Sequence, residues 1–343
     1  MLKPFIKDAV EQRHLDARRA EEAMGIVMRG AATPAQIAAW LVALRQKGET
    51  AEEIIGFVRG MRGAMVSLEG APDDTIDTCG TGGDGLSTFN ISTAAALIVA
   101  ACGVPVAKHG NRAVSSQCGS ADVLAALGFE IDPGVEIARQ ALRQTNFAFL
   151  FAPGFHPAMK HAIGPRREIG VRTVFNLLGP LCNPARVRRQ VVGVYDRRWL
   201  APIASALGAL GAQRALVVSG PGGADELLPC GENHFAEWDG WQVREFTMSP
   251  AEFGMTHFAI EELRGDSVEG NARIIRQIAA GADGPKTEVA VLNAGAALWV
   301  AGKAPSIREG MTVARAALKD GRVSRLIETA ASASRGTFQN GPP

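Results

Sequence analysis

The amino-acid sequence predicts an α/β protein in which a small all-helical domain is followed by a larger α/β domain with a mainly parallel central sheet. Residues 5–62 show apolar side chains at helical spacing throughout. Residues 75–116 then alternate short β-like runs with a Gly-rich loop, an apolar helix and a polar loop, which is the order of a parallel-sheet unit. A chain of 343 residues, 47% of them hydrophobic, is long enough for a large core and two domains.

The N-terminal helices carry clear start signals. Thr33 followed by Pro34 is typical of a helix N-terminus, and Thr50 with Glu53 matches a capping box. Apolar residues then repeat on one face of each helix, at Ile37, Trp40, Leu41 and Leu44 and at Ile54, Phe57, Val58 and Met61. These helices hold no catalytic constellation, so we interpret them as packing elements. Residues 66–74 are interpreted as the first crossing to the α/β domain.

The next segment is organised around two polar loops. Residues 75–78 and 104–107 are predicted to be strands, with an apolar helix at 94–102 between them. One loop, 80–93, follows the first strand, and the other, 108–116, follows the second. Loops that follow parallel strands meet at the carboxyl edge of the sheet, where α/β proteins place ligands.

The remaining pattern continues the α/β order. Strands are predicted at 147–151, 190–195 and 214–219, and helices at 120–128, 200–210, 287–301 and 306–319. A helix-rich segment punctuated by proline and glycine, residues 152–184, is interpreted as a crossing between the domains. Residues 335–343 are predicted to form a loose tail.

The first loop has the composition of an anion-binding site. Its glycines allow a tight turn and remove the Cβ atoms that would block backbone approach; they are Gly80, Gly82, Gly83 and Gly85. Backbone N–H groups at the following helix start favour phosphate. Neutral hydrogen-bonding side chains surround the glycines, at Ser87, Thr88, Asn90, Ser92 and Thr93. Lys108 and Arg112 add positive charge from the second loop, and a guanidinium can bind a phosphate at two points.

Gly80, Gly82 and Gly85 also satisfy the G-x-G-x-x-G pattern of dinucleotide-binding folds. That pattern requires an acidic residue about 20 positions later, at the end of the second strand. Lys108 and His109 stand there instead, so a phosphate-binding site is favoured over a dinucleotide site. The alternative that the glycines only form turns leaves the surrounding hydroxyl and amide side chains unexplained.

Composition excludes several classes of protein. The net charge of +1 provides no broad positive field for nucleic acid. The five cysteines, at positions 79, 102, 118, 182 and 230, contain no C-x-x-C pair, which argues against a zinc site and a disulfide framework. Cys79 and Cys118 flank the loops, and we interpret them as small core residues. We expect no membrane partner, no signal peptide and a reducing, cytoplasmic setting.

Two further groups of residues could carry chemistry. Asp225 and Glu226 follow the predicted strand at 214–219, and adjacent carboxylates suit Mg²⁺. Taken alone, such a pair is more often a solvated turn. His109 and His156 could act as general bases, although structural or hydrogen-bonding roles are commoner for single histidines.

At this point the sequence resembles a known family. GTGGDG followed by TFNIST, then KHGNRAVSS and GSADVLAALG, is similar to the anthranilate phosphoribosyltransferase family, over about residues 24–226 and more weakly to the end. The resemblance implies the nucleoside phosphorylase/phosphoribosyltransferase fold, with a helical domain at 1–65 completed by helices from about 155–185, and an α/β domain at 75–150 and 186–343. It also implies a cytoplasmic homodimer that associates through the helical domain.

The implied reaction transfers a 5-phosphoribosyl group from phosphoribosyl pyrophosphate to the amine of anthranilate, the second step of tryptophan biosynthesis. The resemblance implies Mg²⁺, about two ions per subunit, held by Ser92, Asp225 and Glu226. Candidate catalytic residues are Lys108, His109 and Arg112. The implied anthranilate-binding residues are Gly80, Asn111, His156 and Arg166. Phosphoribosyl pyrophosphate would contact Gly80, Gly82, Gly83, Asp84, Thr88, Asn90, Ile91, Ser92, Thr93, Lys108, Gly110, Asn111, Arg112, Ala113, Val114, Ser115, Ser116 and Ser120.

Two alternatives and one departure accompany the resemblance. A pyrimidine nucleoside phosphorylase of the same fold is disfavoured by Asn111, Arg112, Arg166 and the acidic pair. A nucleic-acid-binding paralogue without enzymatic activity would need a basic surface and a lost acidic pair, and the sequence shows neither. Residues 227–234 depart from the family, which usually has a Ser/Thr-containing stretch there, so we expect altered local geometry next to a retained acidic pair.

Overall fold

The computed structural model describes residues 1–113 and 118–338, and in these residues one seven-stranded sheet forms the centre of the molecule. The strands are β1 (Ile76–Asp77), β2 (Val106–Gly110), β3 (Phe147–Phe151), β4 (Arg189–Gly193), β5 (Arg214–Ser219), β6 (Asn233–Trp238) and β7 (Val243–Met248). Their order is β3-β2-β1-β4-β5-β6-β7. The first five are parallel, and β6 and β7 are added antiparallel at one edge. The predicted α/β class with a mainly parallel sheet is therefore confirmed.

Four helices precede the sheet: α1 (Lys3–Val10), α2 (Ala17–Met28), α3 (Pro34–Lys47) and α4 (Ala51–Arg62). The capping box predicted at Thr50 is confirmed, since Glu53 N donates to Thr50 Oγ1 and the Glu53 carboxylate accepts from Thr50 N. Thr33 forms a second capping box with Gln36. The predicted apolar faces of α3 and α4 are buried, with Trp40 edge-on to Phe57 at 5.3 Å between ring centres.

The central unit follows the predicted order, with shifted boundaries. Helix α5 (Ile91–Ala101) begins three residues before the predicted start, so Ile91, Ser92 and Thr93 form its first turn instead of belonging to the loop. Strand β2 ends at Gly110, so Lys108 and His109 belong to the strand and not to the polar loop. Helices α6 (Ser120–Ala126) and α7 (Val135–Thr145) then lead to β3.

The predicted helix-rich segment after β3 is confirmed. It contains α8 (Ala152–Phe155), α9 (Lys160–Ile169) and α10 (Phe175–Leu181), with prolines inside α9 and α10. Apolar residues of α10, including Leu177, Leu178 and Leu181, share one buried cluster with Trp40 and Phe57 of the N-terminal helices. The domain boundaries stay a prediction, but this segment packs against the N-terminal helical bundle.

The remaining helices are α11 (Leu200–Ala209), α12 (Val268–Ala279), α13 (Pro285–Val300), α14 (Ile307–Lys319) and α15 (Arg322–Ser334). Side chains of a strand alternate between faces, so the sheet has a core on each side. Leu216 and Val218 face the cluster built on α5 and α13, whereas Ala215 and Val217 face the cluster shared by α11 and the N-terminal helices. None of the helices in the described residues is long and apolar enough to cross a membrane.

Candidate active site

The strand order changes direction at β1 and β4, and the candidate residues gather at the carboxyl edge of this point. The chain runs from β1 outward through β2 to β3, then returns to β4 and continues to β5 on the other side. Diverging loops leave a crevice at such a switch point, and α/β proteins bind ligands there. The Gly-rich loop follows β1, Lys108 and His109 lie near the end of β2, and the acidic pair follows β5.

The Gly-rich loop requires its glycines for two reasons. Gly82, Gly83 and Gly85 have φ values of 68°, 76° and 80°, which L side chains rarely adopt. A Cβ at Gly80 would lie 2.5 Å from Asp225 Oδ2. The loop is also tied to the acidic segment, because Gly82 N donates to Asp225 Oδ2 at 2.5 Å.

Ser92, in the first turn of α5, forms hydrogen bonds with both the Lys108 ammonium and the Glu226 carboxylate. Ser92 N, one of the N–H groups unpaired within the helix, donates to Glu226 Oε1 at 3.1 Å. The Lys108 ammonium donates to Ser92 Oγ at 3.3 Å, and Lys108 is only 2% exposed. The predicted phosphate-binding and metal-binding residues are thus brought together at one helix N-terminus.

Asp225 and Glu226 line a small cavity together with Thr78, Ser92, Gly193 and Asn293. Burial, followed by the nearby Asp84 carboxylate, raises the pKa of Asp225. Burial, followed by the charge of Asp225, raises the pKa of Glu226. Two carboxylates in one cavity with a serine hydroxyl form an oxygen-rich set that suits a divalent cation, since a cation would offset their mutual repulsion.

The carboxylates do not complete a metal site alone. Across residues 1–113 and 118–338, no group of three or more His, Cys, Asp and Glu side chains is arranged to hold a metal ion. Mg²⁺ characteristically takes one or two carboxylates and fills its other positions with water and substrate phosphate oxygens. The residues present therefore fit a cation that is bound together with a phosphate-bearing ligand.

His109 and His156 form a pair of neutral rings, with centroids 5.1 Å apart. Burial and then the neighbouring His156 lower the pKa of His109 to about 3, and burial lowers the pKa of His156 to about 4. His109 Nδ1 lies 3.1 Å from the Gly179 carbonyl, which can only accept, so Nδ1 carries the proton and Nε2 a lone pair. Both Nε2 atoms are buried without a hydrogen-bond partner among the described residues.

Arg166 and Arg167 are adjacent on α9 but have different environments. Arg166 is half-buried, its guanidinium carbon lies 5.1 Å from the centre of the Phe175 ring, and burial lowers its pKa. Arg167 is exposed. No salt bridge within the described part of the chain involves Arg166, so its donors remain available to an anionic ligand.

The second loop is only partly described. Asn111 and Arg112 are exposed, and Arg112 pairs with Asp122 at 2.9 Å. Asp122 also accepts from the backbone of Ala113 and Gly119, so it holds the two ends of the loop together. Ser120 Oγ donates to the Asn111 carbonyl. The predicted substrate contacts Val114, Ser115 and Ser116 lie outside the described residues.

Sequence reasoning missed one buried carboxylate beneath the site. Asp77, at the end of β1, accepts hydrogen bonds from the backbone of Thr78 and His109 and from the Asn183 side chain at 2.7 Å. It therefore fixes β1, β2 and the segment after α10 relative to one another. Burial raises the pKa of Asp77 to about 6, and the nearby Lys108 opposes that shift. In the sequence, the only signal for a role of Asp77 is its position just before the Gly-rich loop.

Comparison with known proteins identifies the family. The Glycosyl transferase family helical bundle domain matches residues 3–65, and the Glycosyl transferase family a/b domain matches residues 72–324. Anthranilate phosphoribosyltransferase from Brevibacillus brevis is 48% identical over 328 residues, 96% of each chain. The relative from Geobacter sulfurreducens is 48% identical and covers 96% of this chain and 98% of its own.

This chain belongs to the anthranilate phosphoribosyltransferase family. The crystal structure of the family member from Thermus thermophilus has a TM-score of 0.92 at 44% identity, covering 96% of this chain and 99% of that one. A Saccharomyces cerevisiae structure described as being in complex with PRPP and Mg shares the fold, with a TM-score of 0.89 at 24% identity. The resemblance deduced from the two loops is confirmed, as is the combination of a helical bundle with an α/β domain.

Of the residues that depart from the family pattern, 227–232 form a turn held by two asparagines, and Asn233 and His234 begin β6. Asn293 of α13 exchanges hydrogen bonds with the backbone of Leu227 directly after the acidic pair. Asn233 closes the turn through the backbone of Leu228 and Gly231. Pro229 and Cys230 lie within this turn, whereas Asn293 holds the backbone of Leu227, the residue directly after the acidic pair.

Proposed function

We propose that this protein transfers the 5-phosphoribosyl group from phosphoribosyl pyrophosphate to the amine of anthranilate, as the second step of tryptophan biosynthesis. The observation that carries the proposal is the junction of the Gly-rich loop, the N-terminus of α5, buried Lys108 and the acidic pair. One edge of the sheet can thereby bind a polyphosphate and a divalent cation together. The high identity to named family members over almost the full chain supports the same reaction.

Phosphoribosyl pyrophosphate would bind along the carboxyl edge of β1 and β2. Backbone N–H groups of the loop and the first turn of α5 suit its phosphate oxygens, and the helix dipole adds to the attraction. Lys108 supplies a buried positive charge beside Ser92. Arg112, now paired with Asp122, would exchange that partner for a phosphate. The exchange replaces one exposed ion pair with another and therefore costs little free energy.

Asp225, Glu226 and the Ser92 hydroxyl would hold Mg²⁺, and we propose about two ions per subunit. Bound Mg²⁺ would supply neutralisation of the negative charge on the pyrophosphate. The role of the chain itself is to position these oxygens: Gly82 N fixes Asp225, and Ser92 N fixes Glu226. The yeast family member solved with PRPP and Mg supports the choice of cation.

The acceptor side of the site is assigned to the segment between β3 and β4. Arg166 would pair with the anthranilate carboxylate in a two-point geometry. The lone pairs on His109 Nε2 and His156 Nε2 would accept hydrogen bonds from the amine, orienting its own lone pair towards the anomeric carbon. Asn111 and the Gly80 backbone would complete the contact. Neither histidine has to remove a proton before attack, because the aromatic amine is already neutral.

The reaction forms a bond from the amine nitrogen to the anomeric carbon and breaks the bond from that carbon to pyrophosphate. The bonding electrons leave with pyrophosphate, and the nitrogen then loses a proton to give N-(5-phosphoribosyl)anthranilate. Holding the two reactants together supplies much of the acceleration. Closure of the two domains at the Gly- and Pro-rich crossings would exclude water, which would otherwise capture the electron-deficient sugar.

A fluorescence assay tests the proposal. Purified protein with Mg²⁺ and phosphoribosyl pyrophosphate should consume anthranilate, and omission of either additive should abolish the signal. Uridine and thymidine with inorganic phosphate provide the matched test of the nucleoside phosphorylase alternative. Unchanged anthranilate fluorescence together with phosphorolysis of either nucleoside would overturn the assignment.

We also propose a cytoplasmic homodimer that associates through the helical bundle. Seven large apolar side chains are exposed within the described residues, and Val10, Val42, Ile163 and Val171 lie on α1, α3, α9 and the residues just after α9. Both α1 and α9 pack against α3. Exposed apolar side chains concentrated on neighbouring elements are typical of an interface. The free thiols of Cys79, Cys102, Cys182 and Cys230 agree with a reducing compartment.

A further inference from the structure

A guanidinium that the predicted site does not include lies against the outer side of the Gly-rich loop. Arg172 follows α9, and its Nη2 lies 3.3 Å from the position that a Cβ would occupy at Gly83. Elsewhere in the same loop, a Cβ at Gly80 would meet the Asp225 carboxylate. The loop therefore contacts both an anionic side chain of the cation site and a cationic side chain from outside that site.

The position of Arg172 is fixed at two points. Its guanidinium carbon lies 4.1 Å from the centre of the Tyr195 ring, shortly after β4. Its carbonyl oxygen accepts a hydrogen bond of 2.7 Å from Arg45 of α3. A guanidinium held against an aromatic ring loses less conformational freedom when it binds an anion than a free lysine does. Arg172 is thus a preorganised donor that links the helical bundle to the loop.

The hydrogen-bonding capacity of this guanidinium is unused. Arg172 is half-buried, and within residues 1–113 and 118–338 no carboxylate forms a salt bridge with it and no side-chain hydrogen bond is made by its five N–H groups. The other cations near the loops differ: Lys108 donates to Ser92, and Arg112 pairs with Asp122. A half-buried guanidinium beside loop glycines is suited to a phosphate that those glycines hold.

We propose that Arg172 is a further substrate-binding residue, which binds a phosphate group of phosphoribosyl pyrophosphate from the helical-bundle side of the Gly-rich loop. The proposal rests on the function proposed above and adds a contact to its donor substrate. Glycine at position 83 lets the guanidinium approach the loop backbone closely, because a Cβ there would lie only 3.3 Å from Arg172 Nη2. Tyr195 supports the guanidinium from one side, and Arg45 holds the backbone of residue 172 in place.

The test compares Arg172→Gln with Arg172→Lys and with a matched control. Arg198→Gln removes another arginine that lies over an aromatic ring, Trp199, but that one is paired with Asp196. Loss of charge-assisted hydrogen bonds predicts a roughly ten- to hundredfold rise in KM for phosphoribosyl pyrophosphate in Arg172→Gln. KM for phosphoribosyl pyrophosphate in Arg172→Lys should lie between the values of Arg172→Gln and the wild type, and in Arg198→Gln it should match the wild type. KM for anthranilate should stay close to the wild-type value in all three variants.

Direct titration identifies which phosphate is bound. Calorimetry with inorganic pyrophosphate and Mg²⁺, and separately with ribose 5-phosphate, should show weakened binding by Arg172→Gln for one of the two ligands. Tyr195 is the only tyrosine in the sequence, so 3-fluorotyrosine labelling gives one ¹⁹F resonance beside Arg172. That resonance should shift when the wild type binds phosphoribosyl pyrophosphate and should shift less in Arg172→Gln.

The outcomes separate this inference from the proposed function. A wild type that consumes anthranilate, with Arg172→Gln binding both phosphate ligands as tightly as the wild type, overturns the inference and leaves the function standing. Equal losses for both substrates together with a lowered Tm in Arg172→Gln and Arg172→Lys would assign the residue a structural role and also overturn it. A wild type without transferase activity overturns the function, and the titrations still decide whether Arg172 binds phosphate.

Discussion

Arg166 and Arg167 offer a comparison of two neighbouring side chains with the same charge. Only Arg166 is half-buried and lies over Phe175. Because it is proposed to bind the anthranilate carboxylate, Arg166→Ala should raise KM for anthranilate about ten- to a hundredfold, the equivalent of ~1.5–3 kcal/mol. KM for phosphoribosyl pyrophosphate should change much less. Steady-state rates with each substrate varied in turn provide the measurement.

Arg167→Ala is the matched control for that prediction, since it removes the same charge from the same helix. It should leave both KM values close to those of the wild type. If Arg167→Ala raises KM for anthranilate and Arg166→Ala does not, the carboxylate contact belongs to Arg167.

Because the two histidines are buried, we predict that kcat/KM for anthranilate shows no pH dependence caused by histidine protonation. Folding lowers the pKa of His109 to about 3 and the pKa of His156 to about 4, so both rings stay neutral in the folded protein across the range from about pH 5 to about pH 8. A histidine acting as a base with its ordinary pKa would instead produce an activity loss below about pH 6.5. We expect kcat/KM for anthranilate to follow pH with the same midpoints in the wild type and in His156→Asn.

His156→Asn keeps a polar side chain but removes the ring, and His14→Asn is a control because His14 is exposed in the helical bundle. A limb of the wild-type profile with a midpoint near the ordinary histidine pKa of about 6.5, lost in His156→Asn and kept in His14→Asn, would contradict the assignment of a neutral acceptor.

Single residues could be predicted where the signal was local. The glycines, Lys108 and the acidic pair follow predicted strands, so their meeting at one edge followed from parallel topology. Asp77, Asp122 and Arg172 could not be predicted in this way. Asp77 bonds to Asn183, which is 106 residues away in the sequence, and Asp122 bonds to the backbone of a loop whose shape the sequence does not determine. Arg172 meets Gly83 only because the segment after α9 returns to the loop.

At the level of elements, predictions succeeded where apolar runs had clear boundaries. Strands β3 and β5 have the predicted bounds, since polar or turn-forming residues flank each apolar run. Helix α7 was not predicted. It begins after Gly134, at a φ of 83° and without a side-chain cap, so the usual N-terminal signal is missing. The start of α5 was placed too late because Ile91, Ser92 and Thr93 were assigned to the preceding loop by their polar neighbours.

The loop after β5 and the Gly-rich loop after β1 should contribute differently to the binding of phosphoribosyl pyrophosphate. Lys108 and the loop amides attract phosphate directly, whereas Asp225 and Glu226 repel it unless a cation lies between. Asp225→Asn combined with Glu226→Gln removes the repulsion and the proposed metal ligands together. The double variant should lose most turnover and show a weaker Mg²⁺ dependence, yet still bind phosphoribosyl pyrophosphate measurably.

Steady-state rates across a Mg²⁺ titration, with calorimetry in the presence and absence of Mg²⁺, measure these effects. Glu232→Gln changes an exposed carboxylate in the same segment and should behave like the wild type. If the double variant keeps the wild-type turnover and the same dependence of turnover on Mg²⁺ concentration, the acidic pair does not bind the metal and is only a solvated turn. The metal would then depend on Ser92 and the substrate.

Across the whole molecule, the helical bundle and the sheet share one core, which sequence periodicity could not indicate. Apolar spacing predicted which faces of α3 and α4 are buried but not what covers them. In the structure the N-terminal helices, α10, α11 and one face of β4 and β5 form a single buried cluster. The partner surface of an amphipathic helix depends on topology, whereas its buried face depends only on spacing.

The exposed apolar side chains on the surface of the helical bundle lead to the last prediction. Val42 of α3 and Ile163 of α9 are each 46% exposed, and the two helices pack on one another. If this surface forms the proposed homodimer interface, Val42→Glu combined with Ile163→Glu would bury unpaired carboxylates and should convert the dimer to a monomer. Light scattering after size-exclusion chromatography should show the mass falling from about twice the chain mass of 36.1 kDa to that mass. Trp241→Glu is the matched control, because Trp241 is 90% exposed in the turn between β6 and β7 and belongs to none of the helices of the bundle. A monomeric wild type, or a dimer lost in Trp241→Glu and kept in the double variant, would rule out this surface. The double variant should retain KM for both substrates if each active site is built from one chain, since Val42 and Ile163 belong to no part of the proposed site.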